Sequence, residues 1–260
     1  MSYENILYAV DGGAARVTIN RPKALNALNE ATLAEMDDAF TTAAKDESVR
    51  AVVITGAGDK AFVAGADINE LSKMTPLSAK EVAYRGQQVL AKLEHMGKPT
   101  VAMINGFALG GGLELALACN LRTASTNARL GLPEVKLGII PGYGGTQRMS
   151  RVSGPGVARE WILTGDMFPA QEAHRVGIVN RIFEPEELEA GTMKMVNTIL
   201  ARGPVAIRFA IEAINRGSNI PQREGEILEC DLFGLAASTE DMREGMTAFL
   251  EKREPAFKGR

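Results

Sequence analysis

The chain repeats one pattern, in which a short apolar run leads into a glycine-rich turn and then into a helix-forming stretch. Residues 51–55 (AVVIT) precede the glycine-rich segment 56–67, and residues 101–104 (VAMI) precede the segment 105–112. A short, continuous apolar run is expected of a strand that is covered on both faces, and strands that alternate with helices pair in parallel. We therefore predict an α/β fold whose functional site lies where strands end and helices begin.

Turn residues and helical spacing place further elements along the chain. Residues 6–10 and 15–19 are rich in β-forming residues and flank Asp11-Gly12-Gly13, which predicts a hairpin. Asn29 is the predicted N-cap of an amphipathic helix that runs to residue 44. Another helix is predicted over residues 78–95 because a glycine and a proline follow it.

The last part of the chain has a different pattern, in which helical stretches follow one another without intervening strands. Helices are predicted over residues 186–202, 205–216, 222–237 and 239–252, with Gly203-Pro204 as one of the breaks. We predict a core formed by residues 1–202 and a C-terminal helical region formed by residues 203–260.

Composition excludes several classes of protein. The 260 residues, 45% of them hydrophobic, suffice for one large domain. The 29 Lys and Arg against 32 Asp and Glu, a net charge of −3, lack the basic excess of a surface that binds nucleic acid or anionic membranes. Cys119 and Cys230 form no CxxC pair and only 2 histidines occur, so neither a disulfide framework nor a metal site is expected. With no targeting pattern at the amino end and no apolar run of ~20 residues, we predict a cytoplasmic protein.

Three consecutive glycines, Gly110 to Gly112, open a predicted helix. Glycine inside a helix costs roughly 0.5–1 kcal/mol relative to alanine, so the run needs a reason. One explanation is close packing of the helix start against a strand. The other is close approach of a ligand to the free backbone N–H groups of the first turn, which lie at the positive end of the helix dipole and suit an oxyanion. The glycines alone leave both explanations open.

Glu114 follows these glycines, in a helix that is otherwise apolar all round (LELALA). An acid in the first turn gains ~0.3–1 kcal/mol from the helix dipole. Burying an unpaired charge costs several kcal/mol, which is more. We therefore expect Glu114 to face a polar cleft.

Glu134 is a second candidate acid, although a Pro-Glu pair taken alone is more typical of a solvated turn. If both carboxylates border one cleft, their proximity raises one pKa, so that one carboxyl holds a proton while the other stays ionised. The segment 56–61 (GAGDKA) breaks the GxGxxG spacing and does not predict a dinucleotide site. Residues 64–67 (AGAD) instead predict a strand-to-helix turn with free backbone N–H groups.

Five ordered stretches give the chain a resemblance to a known family. They are NRPKALNAL (20–28), KAFVAGADI (60–68), NGFALGGGLELA (105–116), PEVKLGIIPGYGGTQR (133–148) and EGMTAFLEKREPAF (244–257). The chain resembles the enoyl-CoA hydratase (crotonase) superfamily, closely its hydratase branch, nearly from end to end. The resemblance implies a crotonase-like spiral of ββα units with a C-terminal helical oligomerisation region, commonly assembled as trimers or as hexamers of two trimers.

The resemblance also implies roles for particular residues. It makes Glu114 and Glu134 the two catalytic acids, and the N–H groups of Gly111 and Ala66 an oxyanion hole. A further set is implied to contact coenzyme A, and it comprises Lys23, Ala24, Leu25, Ala64, Asp67, Ile68 and Lys252. The implied reaction is the reversible addition of water to a 2-enoyl-CoA thioester, with no metal or redox cofactor, because CoA is part of the substrate. The expected partners are the acyl-CoA and further copies of the chain.

Two positions depart from the family pattern, and several alternatives stay open. Asn120 stands where an aspartate is frequent, and Tyr143 replaces a small residue, which predicts a changed acyl end of the site. A Δ3-Δ2-enoyl-CoA isomerase needs only one acid, and thioester hydrolases and decarboxylases of the superfamily share the oxyanion hole. RNA binding is a further alternative, disfavoured by the charge. Chain-length preference and the choice among fatty-acid degradation, butyrate-type synthesis and amino-acid catabolism are not predicted.

Overall fold

The computed structural model describes residues 3–260. These residues form α-helices and the strands of two sheets. The strands are β1 (Ile6–Asp11), β2 (Ala14–Ile19), β3 (Ala51–Gly56), β4 (Ala61–Val63), β5 (Thr100–Ile104), β6 (Phe107–Leu109), β7 (Leu121–Ser125), β8 (Arg129–Gly131), β9 (Phe168–Pro169) and β10 (Arg181–Phe183). The helices are α1 (Glu30–Lys45), α2 (Ile68–Leu71), α3 (Pro76–His95), α4 (Gly111–Ala118), α5 (Gly145–Thr164), α6 (Ala170–Arg175), α7 (Leu188–Leu200), α8 (Pro204–Gly217), α9 (Gln222–Ala237) and α10 (Glu240–Glu251). Short 3-10 helices span Pro22–Ala24 and Pro133–Leu137.

The larger sheet has the strand order β1-β2-β3-β5-β7-β10 and the smaller one the order β4-β6-β8-β9. In the larger sheet β1 and β2 form the predicted antiparallel hairpin, and the other neighbours are parallel. From β3 to β8, consecutive strands alternate between the two sheets. The chain therefore advances as repeated ββα units, which confirms the predicted α/β architecture.

Strand β3 shows why a continuous apolar run forms a central strand. Its side chains alternate between two faces of the sheet. Val52 and Ile54 belong to the main core, whereas Ala51 and Val53 pack in a second core that includes Leu188 of α7. Because both faces are covered, every residue of β3 is buried.

The predicted helix boundaries are close to those observed, and one predicted turn is corrected. Asn29 caps α1 through a hydrogen bond from the Thr32 N–H to its side-chain oxygen (2.9 Å). The stretch around Pro133 is a 3-10 helix rather than a loop, since proline is compatible with the first position of a helix. Helix α5 is interrupted at Gly154, which has a non-helical φ of 81° and precedes Pro155.

Asn120 makes a defined local hydrogen bond at the end of α4. Its side-chain oxygen accepts from the N–H and the hydroxyl of Thr100, at 2.8 and 3.0 Å. An amide oxygen therefore tethers the end of α4 to the start of β5.

The helices after β10 differ in what they pack against. Helix α7 lies on β5 and β7, whereas α8 and α10 pack on α9. Within the described part of the chain, α8 has no fully buried residue. The boundary between residues 202 and 203 stays a prediction, although it coincides with the N-cap of α8. None of the helices in residues 3–260 is both long enough and apolar enough to cross a membrane.

Candidate active site

Glu114 lies in the first turn of α4, where all eight residues are buried. It is only 1% exposed. Its Oε1 atom accepts hydrogen bonds from the backbone N–H groups of Tyr143 and Gly145, at 2.8 and 2.7 Å. These amides belong to the turn that begins α5, where N–H groups have no partner inside the helix. Backbone amides rather than a basic side chain therefore hold this buried acid.

The surroundings of Glu114 bring its titration close to neutral pH. The pKa of Glu114 is raised to about 7, mainly by burial and in part by the nearby charge of Glu134. The hydrogen bonds from Gly145 and Tyr143 and the charge of Arg148 oppose this rise. A carboxyl group with such a pKa can take up or release a proton at neutral pH, as an acid–base group must.

Glu134 lies in the 3-10 helix Pro133–Leu137 and faces the start of α4. A Cβ atom added to Gly110 would lie 2.9 Å from Oε1 of Glu134, so the glycine leaves room for this carboxyl group. Burial raises the pKa of Glu134 to about 7. Its Oε2 atom is buried and has no hydrogen-bond partner among residues 3–260. A buried oxygen without a partner is costly, and a bound substrate or water would satisfy it.

Two unpaired backbone N–H groups lie next to these acids. Leu28 pairs with the chain around Ala66 through the oxygen of Gly65 and the N–H of Asp67, so the Ala66 N–H points to the other side. Gly111 is the first residue of α4, and its N–H has no acceptor within the described chain. A Cβ at Gly111 would lie 3.7 Å from the nitrogen of Ala66. The two predicted oxyanion donors are therefore close neighbours.

Gly112 explains how the start of α4 reaches this position. A Cβ atom at Gly112 would overlap the carbonyl oxygen of Val63, the last residue of β4. Close packing of the helix on a strand is thus the explanation for Gly112, whereas the space beside Gly111 faces Ala66. Close packing thus accounts for Gly112, and the approach of a ligand to the Gly111 N–H stays a prediction.

The segments predicted to contact coenzyme A form one surface beside Ala66. The N–H of Ala64 donates to the oxygen of Leu25 at 3.0 Å, which joins the 3-10 helix Pro22–Ala24 to the end of β4. Lys23, Ala24, Leu25 and Ile68 are exposed. Asp67 caps α2 and forms a 3.1 Å ion pair with Arg21, which lowers the pKa of the Asp67 carboxyl.

Lys252 is not brought to this surface by any contact of the described chain. It follows α10 in a left-handed conformation (φ 56°) and is exposed. Its side chain forms no hydrogen bond or ion pair within residues 3–260.

Two contributors to the site were not predicted as such. The backbone N–H groups of Tyr143 and Gly145 hold Glu114, and the guanidinium of Arg148 donates to the carbonyl oxygen of Tyr143 at 2.6 Å. The tight turn PGYGG before a helix is a sequence signal for free N–H groups. No local signal links that turn to Glu114.

The arrangement can stabilise an oxyanion and move protons on either side of it. Two adjacent N–H groups suit one oxygen that gains negative charge, and two carboxyl groups with a pKa near 7 suit proton transfer to and from a substrate. No cluster of three or more His, Cys, Asp or Glu side chains within residues 3–260 is arranged to hold a metal ion.

Comparison with known families identifies relatives over the whole chain. The family model described as enoyl-CoA hydratase/isomerase matches residues 10–260. The crotonyl-CoA hydratase of Syntrophomonas wolfei is 48% identical over 257 residues, which cover 99% of each chain. The short-chain-enoyl-CoA hydratase of Clostridium acetobutylicum is 47% identical over 261 residues, which cover 100% of each chain.

A solved structure shares the fold in full. The enoyl-CoA hydratase of Bacillus anthracis superposes with a TM-score of 0.96 at 38% identity and covers 99% of this chain and 100% of its own. The likeness includes the C-terminal helices and confirms the predicted crotonase-like spiral.

Proposed function

Since the chain belongs to the enoyl-CoA hydratase/isomerase family, we propose that Glu114 and Glu134 add water to a 2-enoyl-CoA thioester beside an oxyanion hole formed by Ala66 and Gly111. The enzyme is a hydro-lyase, an enoyl-CoA hydratase that interconverts 2-enoyl-CoA and 3-hydroxyacyl-CoA. One observation supports the assignment of the site above all. Two buried carboxyl groups, one with an unpartnered oxygen, converge on a helix start beside two unpaired N–H groups.

The thioester oxygen is proposed to lie between the N–H groups of Ala66 and Gly111. When water attacks C3, electrons shift through the double bond and negative charge develops on this oxygen. Both donors are in place before the reaction, so no reorganisation is needed, and losing one such donor typically costs ~3–4 kcal/mol.

Different hydrogen bonding distinguishes the two acids. Glu114 accepts from two backbone amides and lies near Arg148, which favours its ionised form. Glu134 has an unpartnered oxygen, which favours its protonated form. We assign Glu114 as the base that takes a proton from water and Glu134 as the acid that protonates C2. In the dehydration direction these roles reverse, and the pair titrates as a coupled unit.

Coenzyme A is proposed to bind along the exposed surface of Lys23, Ala24, Leu25, Ala64, Asp67 and Ile68. CoA is part of the substrate, and no separate cofactor takes part in the proposed reaction. Binding energy from CoA, remote from the reacting atoms, positions the acyl group between the acids. Lys252 is proposed to join this surface from a neighbouring copy of the chain.

Such a neighbour is proposed because the C-terminal helices expose a large apolar surface. Seven side chains on α8, α9 and α10 are more than half exposed: Ile214, Ile227, Phe233, Leu235, Met246, Phe249 and Leu250. A surface of this kind marks a protein interface. We propose that residues 203–260 form a homotrimer contact, alone or within a hexamer of two trimers.

Two further proposals concern the substrate and the compartment. The printed names of two relatives, crotonyl-CoA hydratase and short-chain-enoyl-CoA hydratase, support short acyl chains as substrates. Cys119 and Cys230 are both free, which supports a reducing compartment such as the cytoplasm.

The test is the hydration of crotonyl-CoA, followed as loss of the conjugated thioester absorbance. Glu114→Gln and Glu134→Gln are each expected to lower kcat by ~100-fold or more, as for other acid–base groups, while the affinity for butyryl-CoA is kept. The exposed Glu81→Gln is the matched control. An inert native enzyme or a fully active Glu134→Gln variant would refute the assignment. Isomerisation of 3-enoyl-CoA that survives in Glu134→Gln would indicate the one-acid alternative.

A further inference from the structure

The side chain of Tyr143 is enclosed by glycines from two helices. Its backbone N–H holds Glu114, while its ring is buried and 6% of the residue is exposed. A Cβ atom at Gly86, in the middle of α3, would overlap the ring, and a Cβ at Gly111 would lie 3.3 Å from the ring atoms Cδ2 and Cε2. The ring therefore lies between α3 and α4, next to one of the proposed oxyanion donors.

The ring of Tyr143 explains why residue 86 is a glycine. Glycine in the middle of a helix is destabilising by roughly 0.5–1 kcal/mol relative to alanine. Gly86 is buried, and the ring of Tyr143 occupies the space that any larger side chain would need. The small residue at position 86 and the large one at position 143 are thus complementary.

The ring of Tyr143 also borders a small cavity that is lined in part by Ala66, one of the two proposed oxyanion donors. The cavity has a volume of about 20 Å3. Its lining combines the ring with apolar residues, namely Leu28, Leu33, Ala66, Leu71, Met74 and Val82, and with the charged residues Glu30, Asp67, Glu70 and Arg85. A cavity of ~10–15 Å3 is large enough for one water molecule. The space beside the ring therefore accommodates about one methyl group and no extended chain.

The position of the cavity relates it to the acyl group. A Cβ atom at Gly111 would lie 3.3 Å from the ring of Tyr143 and 3.7 Å from the nitrogen of Ala66. A thioester carbonyl bound by Ala66 and Gly111 would direct its CoA part toward the exposed segment 23–25 and the exposed Ile68. Its acyl part must extend the opposite way, into the space that the ring limits.

We propose that the side chain of Tyr143, packed against Gly86, sets the upper limit on acyl chain length by closing the cavity beside Ala66. The inference rests on the proposed function of this site and adds a residue that determines specificity. Tyr143 acts through ring volume rather than through its hydroxyl group.

The test compares crotonyl-CoA with 2-decenoyl-CoA in the native enzyme, Tyr143→Ala and Tyr143→Phe. Because a single methylene in a pocket changes discrimination by ~10-fold or more, the ratio of kcat/KM for C10 over C4 should rise at least tenfold in Tyr143→Ala. Tyr143→Phe keeps the ring and should keep the native ratio. Tyr84→Ala, which removes an exposed tyrosine from α3, the helix that contains Gly86, is the matched control.

Binding provides a readout that does not depend on turnover. The affinity for decanoyl-CoA relative to butyryl-CoA, measured by calorimetry, should rise in Tyr143→Ala alone. An unchanged ratio in both measurements, with crotonyl-CoA still hydrated, overturns the inference and leaves the proposed function intact. If no form hydrates either substrate, the proposed function fails and this inference fails with it.

The complementarity of the two positions can be tested by unfolding. Gly86→Ala alone should lower Tm, because the new methyl group displaces the ring. In the Tyr143→Ala background the same change should raise Tm, because alanine favours the helix. If Gly86→Ala changes Tm in the same direction in both backgrounds, the packing argument is wrong.

Discussion

The guanidinium of Arg148 forms an ion pair with the carboxylate of Glu94, with 2.6 Å between Nη2 and Oε2. Their side chains are 14% and 31% exposed. The other terminal nitrogen of Arg148 donates to the carbonyl oxygen of Tyr143. Because the N–H of the same tyrosine holds Glu114, the ion pair fixes the turn on which the proposed base depends.

Arg148 is therefore expected to be a positioning residue. Arg148→Met removes the bond to Tyr143 and should lower kcat by roughly tenfold to a hundredfold, since small displacements of reacting groups have effects of this size. It also removes a positive charge that lowers the pKa of Glu114. The acidic limb of the kcat/KM profile against pH should then move to higher pH.

The comparison variant is Glu94→Gln, which loses the ion pair but leaves Arg148 bound to Tyr143. Its effect on kcat should be smaller than that of Arg148→Met. If Arg148→Met lowers Tm but leaves the pH profile unmoved, Arg148 supports only the fold.

Glu114 should make stability depend on pH. The folded-state pKa is about 7 against 4.5 for the free group, so the folded protein binds this proton more tightly between those values. The stabilising contribution is complete below pH 4.5 and is lost as the pH rises through 7. At ~1.4 kcal/mol per pKa unit, the loss is on the order of 3–4 kcal/mol.

Glu114→Gln removes this dependence because the neutral amide oxygen can still accept from Tyr143 and Gly145. Thermal unfolding should give similar Tm values for the variant and the native chain at pH 5. At pH 8 the variant should be more stable, with a Tm higher by roughly 6–14 °C. For the exposed control Glu81→Gln, the difference in Tm from the native chain should be the same at pH 5 and pH 8. A constant difference for Glu114→Gln would show that the group titrates far from neutrality.

Adjacent glycines should separate activity from stability. Gly111→Ala places a methyl group into the space facing Ala66, where the nearest protein atoms are at 3.3 Å. It should fold with little change in Tm and lose ~100-fold or more in kcat, as when an oxyanion donor is blocked. Gly112→Ala instead overlaps Val63 and should lower Tm strongly. Circular dichroism melts and crotonyl-CoA rates distinguish the two. Equal losses of Tm would mean that both glycines serve only packing.

The elements that could be predicted are those whose signals are local. The strand at residues 51–55 follows from its continuous apolar run, and the start of α1 follows from the capping side chain of Asn29. Glu114 is predicted to face a polar cleft because a charge inside an apolar helix is energetically unfavourable without a partner. Each of these signals lies within a few neighbouring residues.

The partners of these residues could not be predicted in the same way. The amide that holds Glu114 belongs to Gly145, 31 residues along the chain, and Glu94 is separated from Arg148 by 54 residues. Such contacts depend on how α3, α4 and α5 pack together. The unpaired N–H of Ala66 likewise follows from its pairing with Leu28, which no local pattern indicates.

Lys23 should contribute to the binding of CoA and not to the chemical step. It is exposed, and its amine has no ion-pair partner in residues 3–260, so it is available for a phosphate of CoA. Lys23→Ala should raise KM for crotonyl-CoA by roughly twofold to fivefold at low salt, as expected for one exposed ion pair, and the effect should shrink at high salt. Crotonyl-pantetheine, which lacks the nucleotide, should show no difference between the variant and the native enzyme. Lys194→Ala on α7 is the matched control. A loss of kcat with both substrates would instead place Lys23 in the support of the active site.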